Sequence, residues 1–586
     1  MRPTKHAASG PPTHIHPNNT HRMKNKWLSL LIALCLLPAA GRAVDFVNLT
    51  PQPKQMSVKE GALPLTEKFI VATNKLPDSL AIEAQRFVAA VNAATGLDAR
   101  VKNRARKALV SMERYEGNDL NAEGYRLDVT PRGVTVQART SAGFFYAFQT
   151  LKKLLPAGVA LGKPTPGVAT YSLPLVSIVD EPRFAHRGFM LDVARHFFTV
   201  EQVKKMIDLM AVYKMNRFHW HLSADQGWRV EIKKWPRLTS VGSIAPNSYQ
   251  WDWERGSYYT NAPYGPYFYT QEQLRDVVAY AKERHIEIIP EIDMPGHFVA
   301  AMNAYPEFSC TPDAEHNGWL AWGVSTDVMN VANPDAVQFA RDILSEIMDV
   351  FPYEYVHIGG DECPTTAWES NAQCQEKMKQ LGLRHARELQ SHFIKNMADF
   401  VKLRGRKLIV WNEAITAPHA DVELIRQTGA TVMCWIGERA AAQKAAALGL
   451  DNILTPYYFY YINRKQQQDA DWMTVAGDGK DDLKRTYNYV PITAETDTAD
   501  YKHFRGVQGT FWTEHVNDNA LLEYLALPRL MAVAEAGWSP QSAKSFDSFV
   551  RRMQADTTLL DLGGYRYSPH YLKPAPPRPA KAAKKQ

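Results

Sequence analysis

Cysteine is scarce in this chain of 586 residues, which has only five. Cys35 lies in an apolar stretch near the start, and the four cysteines that follow this stretch are Cys310, Cys363, Cys374 and Cys434. Their small number and irregular spacing exclude a disulfide framework of the kind that stabilises small secreted domains. One bridge can form, and the spacing favours no particular pairing. About 540 residues follow the apolar stretch, enough for a small domain and a large one.

A bilayer-spanning apolar run is also lacking. The run at 27–37 is too short to span a membrane stably. It follows Lys24 and Lys26 and precedes small residues that end at Ala43, which is the layout of a secretory signal. We interpret 1–22 as an upstream extension before an initiator at Met23. The sequence therefore predicts an exported protein, periplasmic or secreted, with no transmembrane segment after signal removal.

The positive net charge of the chain comes from its two ends and not from the residues between them. The formal net charge is +7, but 1–43 holds six Lys and Arg, 571–586 holds five, and neither segment has an acid. The remaining residues therefore carry a net charge of −4. A nucleic-acid partner is not expected from such a distribution. We interpret the Pro-, Ala- and Lys-rich end from Lys573 as a disordered tail.

The order of predicted elements indicates two domains. Residues 44–180 alternate between helix-like and strand-like segments, as in an α+β domain. From 184 to 545 strands and helices alternate regularly, which predicts parallel strands joined by helices. Eight strand candidates occur, and we therefore predict a (β/α)₈ TIM barrel, followed at 546–586 by a helix and the tail. The candidates are 188–194, 217–223, 287–292, 355–359, 407–411, 431–436, 452–457 and 506–511.

Polar or aromatic residues follow nearly every predicted strand. The adjacent acids Asp361 and Glu362 come directly after Gly359 and Gly360. Because active sites of such barrels lie at the carboxyl ends of the strands, these residues should converge on one rim. Several acids together with Trp411, Trp435 and Trp512 suit a sugar, whose C–H faces stack on indole rings. The residues after the strands are Asp192, Arg195, Asp225, Asp293, His297, Asp361, Glu362, Asn412, Glu413, Trp435, Tyr457–Tyr461, Trp512 and Glu514.

His219 and His221 raise the alternative of a metal site. They point to the same side of one strand, as in metal-dependent amidohydrolase barrels. Those barrels place the pair on the first strand and end with an Asp, whereas here the pair is on the second strand and the last is followed by Trp512 and Glu514. We expect no metal and interpret His357 as a satisfied core or supporting histidine.

Four motifs resemble glycoside hydrolase family 20, the β-N-acetylhexosaminidases. The resemblance extends over roughly 44–545 and includes that family's small α+β domain. The motifs are HIGGDE at 357–362, RGFMLDVARHF at 187–197, DQGWR at 225–229 and PEIDMPGH at 290–297.

The resemblance implies roles for individual residues. Glu362 would be the general acid and base, and Asp361 would orient the 2-acetamido group of the substrate. Asp225 and His297 would hold Glu362 in place. The implied substrate-binding residues are Arg187 and Glu514 for hydroxyls, Trp411, Trp435 and Trp512 for the aromatic walls, and either Tyr458 or Tyr461 for the acetamide oxygen.

The implied reaction is retaining hydrolysis in which the acetamide oxygen of the substrate is the nucleophile. Asp361 and burial should raise the pKa of Glu362, so that it starts protonated. The sequence departs from the family at Ala224, where an Asp is frequent, and at strand seven, where Asn463 ends a Tyr-rich run without the usual Asp.

The sequence thus predicts an exo-acting β-N-acetylhexosaminidase without a cofactor, acting on terminal sugars of glycans or chitooligosaccharides. A metal-dependent amidohydrolase is the alternative enzyme. A catalytically silent glycan-binding protein is the alternative from another class, but it would have lost the acid pair. The natural glycan and the oligomeric state do not follow from the sequence.

Overall fold

The computed structural model of the protein describes residues 47–252, 256–312, 323–466, 469 and 482–572. The predicted signal at 1–43 and the tail from 573 lie outside these residues. Within the described ranges, no helix combines the length and apolar content needed to cross a bilayer.

A mixed seven-stranded sheet builds the first domain. Alternate positions of its strand Gly133–Ala138 are buried, which places Val134 and Val136 in the core. Two helices, Asp78–Thr95 and Ser141–Lys153, pack against each other beside the sheet. The predicted α+β domain is confirmed. In spatial order the strands are Gln55–Pro64, Ser172–Asp180, Tyr125–Thr130, Gly133–Ala138, Val110–Arg114, Lys68–Ala72 and Asp98–Lys102.

Eight parallel strands then close into a barrel. The last strand pairs with the first, with Val507 opposite Arg187 and Phe511 opposite Leu191, which completes the ring. Each strand overlaps one of the eight candidates, so the TIM barrel is confirmed. The strands are His186–Asp192, Arg217–His221, Glu287–Glu291, Tyr355–His357, Lys407–Trp411, Thr431–Cys434, Asn452–Leu454 and Phe504–Phe511.

Helices connect the strands and begin at clear caps. Thr199 and Thr270 each form a capping box with the Gln three residues later. Short hairpins pair Ser223–Ala224 with Gly227–Trp228 and Tyr249–Asp252 with Gly256–Tyr259. The helices from 200 onwards are Val200–Val212, Arg237–Ser240, Gln271–Lys282, Val299–Ala304, Pro334–Val350, Thr366–Ser370, Ala372–Leu381, Ala386–Leu403, Glu413–Thr416, Val422–Thr428, Glu438–Ala447, Tyr457–Tyr460, Leu483–Asn488, Asn519–Ala526, Arg529–Trp538 and Phe546–Gly563.

Two consecutive helices follow the last barrel strand. Asn519–Ala526 ends before Pro528, and Arg529–Trp538 begins after it. Proline has no N–H to donate, and its ring clashes with the preceding turn, so it separates the two helices.

Arg187 lies at the amino end of the first barrel strand and faces the N-terminal domain. Its buried guanidinium donates to both carboxylate oxygens of Glu123, at 2.7 and 2.9 Å, and to the hydroxyl of Tyr146 at 3.1 Å. That end of a barrel is opposite the active site. The prediction that Arg187 holds sugar hydroxyls is therefore wrong, and the residue joins the two domains instead.

The helix Phe546–Gly563 also contacts both domains. Arg552 donates to both carboxylate oxygens of Glu535 in the preceding barrel helix, at 2.5 and 2.8 Å. Asp556 accepts hydrogen bonds from Lys153 and Asn48, both at 2.8 Å. These buried contacts make the helix a structural part of the two-domain body.

Candidate active site

An open cavity of about 250 Å³ lies at the carboxyl ends of the barrel strands. Small-molecule sites usually measure roughly 300–1,000 Å³, so this cavity suits a single sugar unit. Larger cavities of about 640, 540 and 340 Å³ lie elsewhere, but none of them combines paired carboxyls with indole rings. The lining residues are Arg195, His297, Gly323, Asp361, Glu362, Trp435, Tyr457, Tyr461, Asn463, Trp512, Glu514 and His515.

A glycine turn directs the two acids into the cavity. Gly359 has a φ of +66°, and a Cβ atom there would lie 1.8 Å from Oδ1 of Asp293. The same oxygen accepts a hydrogen bond from the N–H of Gly360 at 3.1 Å. Because only glycine tolerates both the close approach and the positive φ, the fourth strand can end here and turn sharply into Asp361 and Glu362.

Glu362 contacts a histidine that is held from behind by a carboxylate. Nδ1 of His297 donates to Oδ2 of Asp225 at 2.8 Å, and its Nε2 lies 3.5 Å from Oε2 of Glu362. His297 and Glu362 both have a positive φ, of 48° and 42°. Such backbone costs on the order of 1–3 kcal/mol per residue and is concentrated at functional sites. The structure thus brings Asp225, His297 and Glu362 together as the resemblance implies.

The proton affinities differ from the expectation for Glu362. Its pKa is lowered, chiefly by the hydrogen bond from His297, although burial acts the other way. Burial also disfavours the charged form of His297, but Asp225 raises the pKa of His297 well above its usual value. The prediction of a raised pKa at Glu362 is therefore wrong for the free protein, because it overlooked the positive charge of His297.

The raised pKa belongs to Asp361. Burial is the largest cause, and the neighbouring Glu413 and Glu362 add to it against the opposing charge of His297, so the pKa is about 8. Glu514 also has a raised pKa, again first through burial. The adjacent acids therefore titrate far apart, which is the arrangement expected of carboxyls with different tasks.

Three buried oxygens of the cavity lack a hydrogen-bond partner among the described residues. They are Oδ1 of Asp361, Oδ1 of Asn463 and Oε2 of Glu514. A buried polar atom without a partner costs about 1–3 kcal/mol. Since all three residues line the same cavity, a ligand with several N–H and O–H groups would satisfy them.

Aromatic rings form one side of the cavity. The rings of Trp435 and Tyr461 are nearly parallel, with an interplanar angle of 15° and 6.0 Å between centroids. Trp512 lies 6.2 Å from Tyr461. The indole N–H of Trp435 donates to both carboxylate oxygens of Glu413, at 3.0 and 2.9 Å, which fixes the ring. Flat apolar faces of this kind bind the C–H face of a sugar or a methyl group.

Trp411 and Tyr458 lie outside this wall. Trp411 is 1% exposed, packs 6.1 Å from Trp512 and donates its N–H to Glu291 at 2.8 Å, so it supports the wall from beneath. Tyr458 is 51% exposed and lies beside Arg464 and Arg485. Of the two tyrosines that the sequence left open, the structure places Tyr461 in the cavity.

Arg195 is the arginine that lines the cavity. Its guanidinium lies 5.0 Å from the ring of Trp512, donates to Gln226 at 3.0 Å and lies 3.5 Å from Asp192. Its position after the first strand is evident from the sequence, but the family resemblance implied that Arg187 has this role. Arg195 follows the first strand, whereas Arg187 lies near its beginning. Because active sites of such barrels lie at the carboxyl ends of the strands, this difference was sufficient to choose Arg195.

His219 and His221, the candidate metal ligands, both contact one buried carboxylate. Oε2 of Glu291 lies 2.5 Å from Nδ1 of His221 and 2.9 Å from Nε2 of His219. His357 lies 3.0 Å from Oε1 of the same carboxylate. Nε2 of His221 lies 3.4 Å from the Arg195 guanidinium, whose charge repels a cation. These contacts fit a support beneath the cavity better than a zinc site.

Sequence comparison identifies the family. The profile of the glycosyl hydrolase family 20 catalytic domain matches residues 184–541, and the profile of domain 2 of that family matches 47–181. The chain belongs to glycoside hydrolase family 20.

Named relatives in family 20 share the fold and much of the sequence. A β-hexosaminidase of Porphyromonas gingivalis is 37% identical over 523 residues, which are 89% of this chain and 64% of that protein. This chain therefore spans just under two thirds of that relative's length. The exo-β-N-acetylglucosaminidase of Vibrio harveyi, solved with N-acetylglucosamine, has 32% identity and a TM-score of 0.76, covering 90% of this chain and 79% of its own.

A third family 20 structure matches over nearly its full length. It is the β-N-acetylhexosaminidase of Streptomyces coelicolor A3(2), with 31% identity and a TM-score of 0.75, and the match covers 89% of this chain and 97% of that one.

The cavity departs from the family 20 pattern at one wall. Asn463 lies two residues after Tyr461, where the resemblance implies the Asp of a Tyr-x-Asp element. It is 3% exposed and lines the cavity. A neutral amide that can donate as well as accept thus replaces a carboxylate at the position expected to hold a sugar hydroxyl.

Proposed function

We propose that this chain is an exo-acting β-N-acetylhexosaminidase that releases terminal non-reducing N-acetylglucosamine or N-acetylgalactosamine. The observation that carries the proposal is Asp361, a buried carboxyl with an unpartnered oxygen between Glu362 and the aromatic wall. A 2-acetamido group complements this site, because its N–H can donate to Asp361 while its methyl packs on Trp435, Tyr461 and Trp512.

The first step breaks the glycosidic bond. The acetamide oxygen attacks the anomeric carbon, the bond to the leaving oxygen breaks, and Glu362 gives that oxygen a proton. The free protein holds a proton on Nε2 of His297, 3.5 Å from Glu362. This proton can move to Glu362 as the leaving oxygen takes up a proton from that carboxyl. Asp361 stabilises the positive oxazolinium intermediate by accepting a hydrogen bond from the N–H of that intermediate.

The second step reverses the roles. Glu362, now ionised, removes a proton from water, the water oxygen attacks the anomeric carbon, and the acetamide is restored. Two displacements at the same carbon retain its configuration. An intramolecular attacker reaches effective molarities on the order of 10⁵ M or more when it is well oriented. Asp361 and the aromatic wall supply that orientation.

Exo action is supported by the shape and polarity of the cavity. Arg195, Asn463 and Glu514 line it with groups that bind hydroxyls. A cavity of about 250 Å³ has room for one sugar unit, as the release of single terminal sugars requires.

The alternatives are less well supported. An amidohydrolase needs a metal, and the positive charge of Arg195, 3.4 Å from Nε2 of His221, opposes a cation there. A silent glycan-binding protein would not need a charged His297 beside a strained Glu362.

The testing experiment compares two aryl glycosides that differ only in the acetamido group. We expect hydrolysis of 4-nitrophenyl N-acetyl-β-glucosaminide, unaffected by a chelator, and almost none of the matching glucoside. Efficient hydrolysis of the glucoside would contradict the proposed nucleophile. Trapping a sugar on a protein carboxylate with a 2-fluoro glycoside would contradict it independently.

We also propose that the protein is exported, on the basis of the signal-like layout at 23–43. Cell fractionation with antibody detection should find it outside the cytoplasm, shortened by the leader. Substitution of the apolar run at 27–37 by polar residues should retain it inside.

A further inference from the structure

Cys310 and Cys374 lie on two different segments that converge beside the cavity. Cys310 belongs to the connection after the third barrel strand, which also carries His297. Cys374 lies in the helix Ala372–Leu381, in the connection after the fourth strand, which also carries Glu362. Both cysteines are buried, with exposed fractions of 7% and 0%.

A single side chain holds the backbones of these two cysteines together. Asn371 accepts a hydrogen bond from the N–H of Cys374 at 3.0 Å and donates one to the carbonyl of Cys310 at 3.1 Å. The Cys374 thiol lies 3.4 Å from Oδ1 of Asn330, and each thiol is the largest influence on the pKa of the other, so the two sulfur atoms are close together. The chain has thus brought two cysteines from distant positions together, with their backbones joined through the side chain of Asn371.

The electrostatics of the pair suit thiol chemistry. The interaction between the two thiols lowers the pKa of Cys374 and raises the pKa of Cys310, so the thiolate of Cys374 forms first. A thiolate is the form that attacks a disulfide. Burial raises the pKa of the two other described cysteines, Cys363 and Cys434.

We propose that Cys310 and Cys374 form a disulfide when the protein meets a thiol-oxidising disulfide. The thiolate of Cys374 attacks one sulfur of the external disulfide and releases the first thiolate. The thiolate of Cys310 then attacks the sulfur of Cys374 and releases the second. The protein loses two electrons and two protons, and the external disulfide becomes two thiols.

The bond would link the segment that carries His297 to the segment that carries Glu362. These two residues meet at 3.5 Å and both have strained backbone, so their alignment depends on the surrounding packing. The proposed bond therefore has a positioning role, and neither cysteine lines the cavity.

The experiment maps disulfides in the full chain. The reduced protein is incubated with glutathione disulfide in subdenaturing urea, which opens the buried pair transiently. Free thiols are then alkylated under unfolding conditions, and peptides are analysed by mass spectrometry without reduction. We expect a cross-linked Cys310–Cys374 peptide, a loss of two alkylation sites, and full alkylation of Cys363 and Cys434. A link between Cys310 and Cys363, or no loss of thiols, would overturn the proposal.

Variants give a second readout. Cys310→Ser and Cys374→Ser should each abolish the cross-link, whereas the matched control Cys434→Ser should retain it. Oxidation should raise Tm of the wild type by about 3 °C, the order expected for a closed loop of this length in a chain of this size, and should lengthen the half-life of activity on heating. Equal Tm values for both redox forms would contradict the positioning role. The mapping on wild-type protein does not depend on the variants or on hydrolase activity.

Discussion

Nε2 of His297 lies 3.5 Å from Oε2 of Glu362, and Asp225 holds the opposite nitrogen of the ring at 2.8 Å. The imidazole of His297 is thus positively charged and lies between two carboxyls. The positive charge explains why Glu362 binds its proton weakly, although the loss of hydration at the site acts in the opposite direction. The free protein therefore stores the catalytic proton one hydrogen bond away from the acid.

Replacement of His297 tests this arrangement. In His297→Asn the hydrogen bond and the charge that lower the pKa of Glu362 are lost, so that pKa should rise. Because the wild type holds the catalytic proton on His297, whose pKa is raised well above its usual value, the limb at which activity falls with rising pH should move to lower pH in the variant, where Glu362 alone must keep that proton. Asp225→Asn should shift the limb in the same direction, because His297 would lose the carboxylate that keeps it charged. A pH profile of kcat/KM that stays in place for both variants would disprove the assignment.

The acid role of Glu362 predicts a dependence on the leaving group. Glu362→Gln cannot donate a proton, so turnover of a natural disaccharide should be lost. Aryl glycosides need less protonation of the leaving oxygen and should retain more of their rate. Equal losses on both substrates, measured with the same enzyme preparation, would speak against Glu362 as the acid.

The two arginines of the first-strand motif should respond differently to the same change. Arg195→Lys should lower kcat/KM at least tenfold, since a charged hydrogen bond contributes about 1.5–3 kcal/mol, with little effect on stability. Arg187→Lys loses part of its double contact with Glu123 and should instead lower the free energy of unfolding by about the same amount. Denaturant unfolding and kinetics on both variants provide the comparison. A loss of kcat/KM in Arg187→Lys together with a loss of stability in Arg195→Lys would show that Arg187, and not Arg195, binds the substrate.

The two tyrosines provide a second matched pair. Tyr461→Phe removes a hydroxyl from the cavity and should reduce kcat by roughly tenfold, the cost of one lost hydrogen bond. Tyr458→Phe changes an exposed residue and should leave kcat and KM nearly unaltered. A loss in Tyr458→Phe equal to that in Tyr461→Phe would show that the cavity rearranges in solution.

The sequence was informative where local pattern determines structure. Apolar strand candidates at regular spacing predicted the barrel, and Gly359 and Gly360 before two acids predicted a sharp turn at its rim. The errors concern properties that depend on three-dimensional surroundings. The pKa of Glu362 is set by His297, which lies on another strand's connection, and the depth of Trp411 is set by Glu291 beneath it. The choice between Tyr458 and Tyr461 required the short helix Tyr457–Tyr460, which turns the former outward.

Asp361 predicts a proton release that reports on the mechanism. Its pKa of about 8 means that most of the free protein carries a proton on this carboxyl at pH 7. An acetamide N–H donates a stronger hydrogen bond to the ionised form than to the neutral acid, so binding should lower this pKa and release close to one proton at pH 7. Affinity should therefore rise with pH up to about 8 and then level off. Calorimetric titration with an uncleavable thio-linked N-acetylglucosaminide, in buffers of different ionisation enthalpy, measures the release.

Asp361→Asn has no proton to release and should show the same apparent enthalpy in every buffer. If the wild type behaves like that variant, Asp361 is not ionised in the complex, and it cannot be the group that stabilises the oxazolinium charge.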